Sequence, residues 1–339
     1  GSVNTFARAD FAVFHRLMHF DFAPIEQDLN IDCFSTVCHY QAIPKRERMY
    51  NRDISQQVRA LRAALAEAAD ESAMFDLVTD YYRRYGYGVF AMSRAFRIRH
   101  EDNGSVTFLP ISNIDGVMLD DLLGYEKQKQ ELRRNTETFL AGKRANNVLL
   151  YGVSGTGKSA TVKGLLGMPE FASLRLIEVP KEELCDIPKL VRDLAHRPQK
   201  FIIFIDDLAF DKEDRTFSSL KTILEGGLEP RPVNVAVYCT SNRRHLVRQN
   251  FSDRDGDEID ASETIQDKTS LADRFGLRIL FSELTKPQFI EMALDMAQAK
   301  GIQLERQELH RLAVRWEARH TSRSPRSALQ FVSSLQGQG

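Results

Sequence analysis

The sequence lacks a long hydrophobic run. Its longest apolar stretches, such as residues 201–205, are far shorter than the roughly 20 residues that a membrane-spanning helix requires. It also lacks an apolar segment near its start followed by a small-residue cleavage site, which a secretory signal would have. Four cysteines in 339 residues are too few for a disulfide framework. These absences predict a cytoplasmic protein with no membrane contact.

The sequence also has almost no net charge. Its 46 Lys and Arg residues against 47 Asp and Glu residues give a net charge of -1 at pH 7. A domain that wraps duplex DNA by neutralising phosphates usually has a bulk excess of basic residues. Any contact with nucleic acid must therefore be local.

Residues 3–115 have mainly helical periodicity. Apolar residues recur at helical spacing over 54–71 and again over 74–87. Asn103-Gly104 lies between two alternating runs and predicts a β-hairpin that closes this region. The sequence therefore predicts a mostly helical N-terminal domain, whose role in client binding, adaptor binding or assembly stays open.

From residue 116 onward, short apolar runs alternate with helical stretches. This alternation is typical of a parallel sheet built from strand-helix-strand units. The apolar runs are residues 147–151, 174–179, 201–205 and 233–239. After Phe281 only helical segments follow, at residues 286–299, 306–319 and 325–335. The sequence predicts an α/β domain over 116–283 and a small helical domain over 284–337.

A glycine-rich loop follows the first apolar run of the α/β domain. Its glycines, lysine and serine match the phosphate-loop pattern, and a chance match in a chain of this length has a probability on the order of one per cent. Glycines let backbone amides point at phosphate oxygens. We expect Lys158 to reach the terminal phosphates and Ser159 to bind Mg²⁺. The residues predicted to contact nucleotide here are Gly152, Val153, Ser154, Gly155, Thr156, Gly157, Lys158, Ser159 and Ala160.

Polar side chains follow two later apolar runs. Asp206 and Asp207 come directly after the run at 201–205, and Asn242 follows the run at 233–239. We expect Asp206 to hold Mg²⁺ through water, Asp207 to polarise the attacking water, and Asn242 to bind both that water and the terminal phosphate. Most ATPases of this architecture have glutamate at the second acidic position. The shorter aspartate predicts slow hydrolysis.

The order of these motifs resembles that of AAA+ ATPases. Over about residues 116–335 the chain further resembles one bacterial branch of that superfamily, which is catalogued as a domain of unknown function. The similar blocks are residues 121–126, 146–151, 177–182, 204–208, 224–228, 240–246 and 273–277. The resemblance implies a P-loop NTPase parallel sheet sandwiched by helices, which is the AAA+ core, followed by a C-terminal helical lid. It also implies ATP or ADP, with Mg²⁺, as the ligand.

The resemblance further implies a subunit assembly. Arg274 would be an arginine finger that stabilises transition-state charge in the site of a neighbouring subunit. A surface ion pair with Asp273 is the alternative role for Arg274. A finger acting between subunits implies a homo-oligomeric ring, with a hexamer favoured.

Two further sets of site residues rest on the resemblance. Leu123, Gly124 and Tyr125 would lie beside the adenine. In the lid, Arg326 is favoured as the second sensor, because the proline before it can occupy the first turn of the helix that presents it. Arg323 is the alternative sensor.

The sequence leaves the mechanical output open. Residues 179–186 lack the aromatic residue and glycine with which unfoldases of this superfamily grip a polypeptide.

We expect Mg²⁺-dependent ATP hydrolysis coupled to remodelling or loading of a macromolecular client, either protein or nucleic acid. The alternative is a nucleotide-dependent assembly switch with little hydrolysis. A small-molecule kinase would leave the arginine finger and the lid unexplained. The acidic residues within 249–268 predict a solvated loop.

Overall fold

The computed structural model describes residues 2–31, 52–101, 104–111, 118–208, 220, 224, 231–242, 271–320 and 322–336. The chain divides into two compact units, Gly1–Arg94 and Ala95–Gly339, and each is described by itself. No helix among the described residues is long and apolar enough to cross a membrane. The acidic loop predicted within 249–268 lies outside the described residues.

The described part of the first unit is helical. Its helices are α1 (Ser2–Met18), α2 (Ala23–Leu29), α3 (Arg52–Ala66), α4 (Glu71–Tyr85) and α5 (Val89–Met92). Asp70 caps the start of α4, because its carboxylate accepts the N–H of Ala73 at 2.8 Å. The rings of Phe11 and Phe75 meet edge to face at 5.7 Å and join α1 to α4. The predicted helical N-terminal region is confirmed for these residues.

The second unit is built on a seven-stranded sheet. In the described residues its strands are β1 (Ala95–His100), β2 (Val106–Pro110), β3 (Val148–Gly152), β4 (Leu174–Glu178), β5 (Lys200–Ile205), β6 (Val235–Ser241) and β7 (Leu277–Phe281). Their order across the sheet is β2-β1-β4-β5-β6-β3-β7. The β1-β2 pair is antiparallel and every other neighbouring pair is parallel.

Helices cover both faces of this sheet. Every residue of β6 is buried, and so is every residue of β5 after Lys200. Strands buried in this way need helices on each side, as the connections of a parallel sheet provide. The described connecting helices are α6 (Glu126–Leu140), α7 (Lys158–Gly164) and α8 (Ile187–Ala195). The predicted α/β fold is therefore confirmed.

The predicted hairpin is present, but it does not close the N-terminal region. Strand β1 pairs with β4, with Ala95 opposite Leu176, so the hairpin extends the sheet. Phe96 and Ile98 are buried in this position, with 0% and 2% of their surface exposed. The first compact unit accordingly ends before the hairpin, whereas the sequence analysis placed the boundary after it, at 115/116. Asn103 itself lies outside the described residues.

Three helices form the C-terminal part of the second unit. They are α9 (Lys286–Ala299), α10 (Arg306–Arg319) and α11 (Pro325–Gln336), close to the predicted bounds. A capping box starts α9, with the side chain of Gln288 accepting the N–H of Thr285 at 3.0 Å. Phe289, Leu309 and Phe331 share an apolar core between these helices. The predicted helical lid is confirmed.

Candidate functional site

The phosphate-loop candidate begins where β3 ends, at the carboxyl edge of the sheet. Gly152 has a φ of 131°, and a Cβ at this position would lie 2.1 Å from the carbonyl oxygen of Phe281 in β7. Only glycine lets the chain turn here without displacing β7. The N–H of Val153 donates to that same oxygen at 3.0 Å. The entrance of the loop is therefore fixed to the sheet.

The rest of the loop folds back on itself before α7. The hydroxyl of Thr156 donates to the carbonyl oxygen of Val153 at 2.8 Å. Ser154 is exposed, and Ala160 is half-buried in the first turn of α7. The loop residues named by the sequence are thus contiguous in one tight turn between β3 and α7.

Lys158 points its ammonium group back into this turn. Its Nζ donates to the carbonyl oxygens of Gly152 at 3.2 Å and Val153 at 2.7 Å, and to Asn242 Oδ1 at 2.8 Å. The side chain is buried, and burial lowers the pKa of Lys158, while Asp207 and Asp206 act in the opposite direction. The three oxygens that accept these hydrogen bonds are neutral, so a phosphate oxygen can replace them in a stronger, charge-assisted hydrogen bond.

Asp206 lies at the end of β5, directly beside the phosphate loop. Its Oδ1 accepts hydrogen bonds from the hydroxyls of Ser159 and Thr240, both at 2.5 Å. Ser159 belongs to the first turn of α7 and Thr240 to the end of β6. The ends of β5 and β6 and the start of α7 therefore bring hydroxyl and carboxylate oxygens to one point.

The oxygen donors at this point fit Mg²⁺. The ion prefers octahedral oxygen ligands at 2.0–2.1 Å, which places neighbouring ligand atoms about 3 Å apart. Ser159 Oγ and Asp206 Oδ1 lie 2.5 Å apart, so the hydroxyl could hold the ion directly while the carboxylate holds it through a water molecule. These two residues are the ones the sequence analysis named for the metal.

Asp207 is held in an unusual backbone conformation. Its φ of 51° lies in the left-handed region, which costs energy for a residue other than glycine. Its N–H donates to Thr240 Oγ1 at 2.9 Å, and its Oδ1 accepts from the Asn242 amide at 2.7 Å. The Asn242 amide therefore bridges Asp207 and Lys158.

Thr240 is the residue whose role the sequence analysis missed. Its single hydroxyl binds Asp206 and the backbone of Asp207 at once. The signal in the sequence was weak, because Thr240 is simply the first of three polar residues that end an apolar run. Which of the three faces the acidic pair depends on the register of β5 and β6, which pairs Ile205 with Cys239.

The lid contacts the phosphate loop through its last helix. The N–H of Arg326 donates to the carbonyl oxygen of Gly155 at 3.2 Å. A Cβ at Gly155 would lie 3.1 Å from Ser324 Oγ and 3.2 Å from the Cβ of Arg326. The charge of Arg326 acts to lower the pKa of Lys158, although less than burial does. Arg326 is therefore adjacent to the loop.

Arg323, the alternative sensor, is engaged within the lid. Its Nε donates to Glu317 Oε1 at 2.8 Å, and its backbone N–H donates to Glu283 Oε1 at 2.9 Å. Lys286 also pairs with Glu317, at 3.0 Å. The hydrogen bond from Arg323 lowers the pKa of Glu317 most, and the hydrogen bond from Lys286 lowers it further.

A cavity of about 220 Å³ lies between the lid and the segment before α6. The three residues expected beside adenine line it, together with Thr156, Gly157, Met296, Ala299, Lys300, Pro325 and Leu329 among others. Gly124 has a φ of 79° and Tyr125 a φ of 57°, so the chain turns sharply here. Leu123 is 39% exposed. A lining of apolar side chains with a few polar groups is typical of small-molecule sites.

Tyr125 joins this segment to the end of β7. Its hydroxyl donates to the carbonyl oxygen of Ser282 at 2.7 Å, and its ring packs on Phe281 at 4.9 Å. Burial, and then the charge of Glu283, raises the pKa of Tyr125 to about 12. The hydroxyl therefore stays protonated and keeps donating over the physiological pH range.

Arg274 does not join the other site residues within the chain. It precedes β7, and the register pairs Val148 with Leu277 and Gly152 with Phe281. Arg274 therefore belongs to the amino edge of the sheet, and β3 alone separates the two edges by about 13 Å. Its neighbour Asp273 accepts a hydrogen bond from Arg278 at 2.6 Å.

The segment at 179–186 contains a short helix that contacts the end of β1. Lys181–Asp186 forms a 3₁₀ helix with Leu184 buried beneath it. A ring nitrogen of His100 lies 2.9 Å from an Asp186 carboxylate oxygen, and Glu183 accepts the backbone N–H of His100 at 3.3 Å. These contacts attach the short helix to the end of β1.

Three comparisons give the chain its relatives. It is 35% identical to the 26S proteasome regulatory subunit 4 homolog of Encephalitozoon cuniculi, over 26% of this chain and 24% of the relative. It is 28% identical to the 26S proteasome regulatory subunit 6B homolog of Dictyostelium discoideum, over 43% of each. The chain thus covers less than half of either relative. A Thermotoga maritima RuvB structure, described as a Holliday junction branch migration motor, matches 65% of this chain and 64% of its own with 16% identity and a TM-score of 0.43.

A family model matches most of the chain. It covers residues 91–339, which include the whole sheet, the phosphate loop and the lid. Its description is protein of unknown function (DUF815). The chain therefore belongs to the DUF815 family, and its resemblance to AAA+ ATPases is confirmed.

Proposed function

We propose that the chain binds and hydrolyses ATP in the presence of Mg²⁺. The observation that carries this proposal is the convergence of four side chains at the carboxyl edge of the sheet. Lys158 donates to Asn242 at 2.8 Å, and Ser159 donates to Asp206 at 2.5 Å. Clusters of this kind are what transfer of a terminal phosphoryl group requires, because positioning and charge stabilisation supply most of its catalysis.

Each residue of the cluster has a distinct role in this proposal. The amides of the phosphate loop bind the phosphates, and Lys158 exchanges its carbonyl contacts for the terminal phosphate oxygens. Ser159 and Asp206 would hold Mg²⁺, which neutralises charge on the phosphates when bound. Asp207 accepts a proton from the attacking water, and Asn242 orients that water and the terminal phosphate.

The adenine occupies the cavity lined by Leu123, Gly124 and Tyr125. Because this cavity is shared with the lid, a bound base contacts the core, residues 116–283, and the lid, residues 284–337, together. Arg326 then connects the same lid to the phosphates. We propose that nucleotide state sets the lid angle through these two contacts.

Binding is the first test of this function. Titration of the chain with a fluorescent ATP analogue should give saturable binding that depends on Mg²⁺. Lys158→Ala should weaken it at least about 100-fold, since a charge-assisted contact is lost from a buried site. Lys143→Ala, which removes an exposed lysine, is the matched control and should leave affinity unchanged. Equal affinity in the two variants would contradict the proposal.

We further propose a ring in which Arg274 completes the site of the next subunit. The support is that Arg274 belongs to the opposite edge of the sheet from its own phosphate loop. Lys158→Ala and Arg274→Ala should each be inactive alone. Mixing them should restore hydrolysis, because interfaces form that have an intact loop on one side and an intact arginine on the other. Failure of every mixture to regain activity would contradict the ring.

The proposed output is remodelling or loading of a macromolecular client in the cytoplasm, with the helical N-terminal region up to residue 94 engaging the client or an adaptor. The 3₁₀ segment Lys181–Asp186 is fastened at His100, which favours a client handled outside a threading pore. Stimulation of hydrolysis by a bound client, lost on removal of residues 3–94, would test this assignment.

The second candidate function is a nucleotide-dependent assembly switch. The observation in its favour is the constraint on Asp207, whose backbone is in the left-handed region and whose carboxylate is bound by Asn242. A base held in this way is slow to engage water. Tight ATP binding and ring assembly with turnover no faster than the Asp207→Asn variant would favour the switch over the hydrolase.

A further inference from the structure

A cluster of three charged side chains lies within the lid, outside the nucleotide site. Glu317 on α10 is its centre, with 8% of its side chain exposed. Its two oxygens have different partners. Oε1 accepts Arg323 Nε at 2.8 Å, and Oε2 pairs with Lys286 Nζ at 3.0 Å. Arg323 lies just before α11, and Lys286 is the first residue of α9.

The backbone of Arg323 makes a second attachment. Its N–H donates to Glu283 Oε1 at 2.9 Å, and its carbonyl oxygen accepts the N–H of Leu284 at 3.1 Å. Residues 282–285, together with Lys286 at the start of α9, are the connection by which the chain passes from β7 into the lid. The segment before α11 is therefore fastened to that connection by both its side chain and its backbone.

This segment leads directly into the contact with the phosphate loop. Ser324 caps the start of α11, because its Oγ accepts the N–H of Ser327 at 3.3 Å. The N–H of Arg326 donates to the carbonyl oxygen of Gly155 at 3.2 Å. The position of Arg326 is consequently fixed on one side by the loop and on the other by the fastened segment.

We propose that Arg323 and Glu317 are positioning residues for Arg326. By tying the start of α11 to the connection at 282–286, they make the placement of Arg326 follow the angle of the lid. This inference rests on the proposed function in that Arg326 is taken to contact phosphate. It assigns Arg323, the alternative sensor of the sequence analysis, a role without nucleotide contact.

A measurement without nucleotide tests the attachment itself. Arg323→Ala should increase deuterium uptake at the amide of Arg326, which is measured in peptides covering 322–330. A cooperative thermal unfolding transition should show that the variant is still folded. Arg319→Ala removes an exposed arginine from the end of α10 and should leave that uptake unchanged. Unchanged uptake in Arg323→Ala would overturn the proposal even if the chain binds no nucleotide.

A double-mutant cycle tests the consequence for binding. Arg323→Ala should raise the Kd for ATP about 10-fold, within the usual range of coupling between sites, and Arg323→Lys should raise it less because the charge is kept. In the Arg326→Ala background the same change should have little effect, because its target is gone. A full 10-fold rise in that background would overturn the proposal. Absence of ATP binding in the wild type would instead refute the proposed function.

Discussion

Replacing Thr240 with valine would remove one hydroxyl and nearly keep the shape of the side chain. Thr240 is 2% exposed, and its hydroxyl donates to Asp206 at 2.5 Å while accepting the N–H of Asp207 at 2.9 Å. A hydrogen bond to a charged group contributes about 1.5–3 kcal/mol. Asp207 is exposed, so water can bind its freed N–H and that loss adds little.

We expect Thr240→Val to act on catalysis more than on binding. If the lost energy appears in the transition state, it corresponds to a fall in kcat of roughly 10- to 100-fold. Phosphate release at saturating ATP measures kcat, and a titration with an ATP analogue measures affinity, which should change only a few-fold. Thr240→Ser retains the hydroxyl and should keep most of the activity. A Thr240→Val enzyme with the wild-type kcat would refute the reasoning that this hydroxyl aligns the acidic pair.

Three further predictions concern separate parts of the second unit. Gly152→Ala should destabilise the fold by several kcal/mol, because the added Cβ would collide with the backbone of Phe281. Gly142 also has a positive φ but no atom near the position of a Cβ, so Gly142→Ala should cost only about 1 kcal/mol. Equal melting temperatures of the two variants would contradict this prediction. Asn242→Ala should lower kcat at least about 10-fold with a smaller change in ATP affinity, measured by phosphate release and titration, and an unchanged kcat would remove its catalytic role. The lowered pKa of Glu317 means that its stabilisation is present above the ordinary pKa of 4.5 and is lost as pH falls through the lower pKa of the folded protein. Unfolding followed from pH 6 to pH 3 should therefore show a steeper loss of stability in the wild type than in Glu317→Gln, and parallel curves would contradict the assignment.

Local patterns were enough to predict the glycine-rich turn between β3 and α7 and the strands that surround it. The spacing from Gly152 to Ser159 and the apolar runs before Asp206 and Asn242 are readable without the fold. Parallel strands bring their carboxyl ends to one edge, so the grouping of these residues followed from the strand prediction alone.

Relations that depend on strand order and on distant partners were not readable. The hairpin at 95–110 was assigned to the wrong unit, because nothing in it identifies β4 as its neighbour. Glu317 gave no signal, since a glutamate in an amphipathic helix is ordinarily exposed. The hydrogen bond of Arg323 to Glu317 and the contact of Arg326 with Gly155 likewise depend on how the lid helices pack.

The most direct test of the central claim is steady-state phosphate release from ATP by the wild type and by Lys158→Ala, each with Mg²⁺ and across a range of protein concentrations. The account predicts Mg²⁺-dependent turnover that rises with assembly in the wild type and is absent from Lys158→Ala, while Lys143→Ala behaves as the wild type. Turnover that survives in Lys158→Ala, or no turnover in the wild type at any concentration, would contradict the claim that this loop hydrolyses ATP.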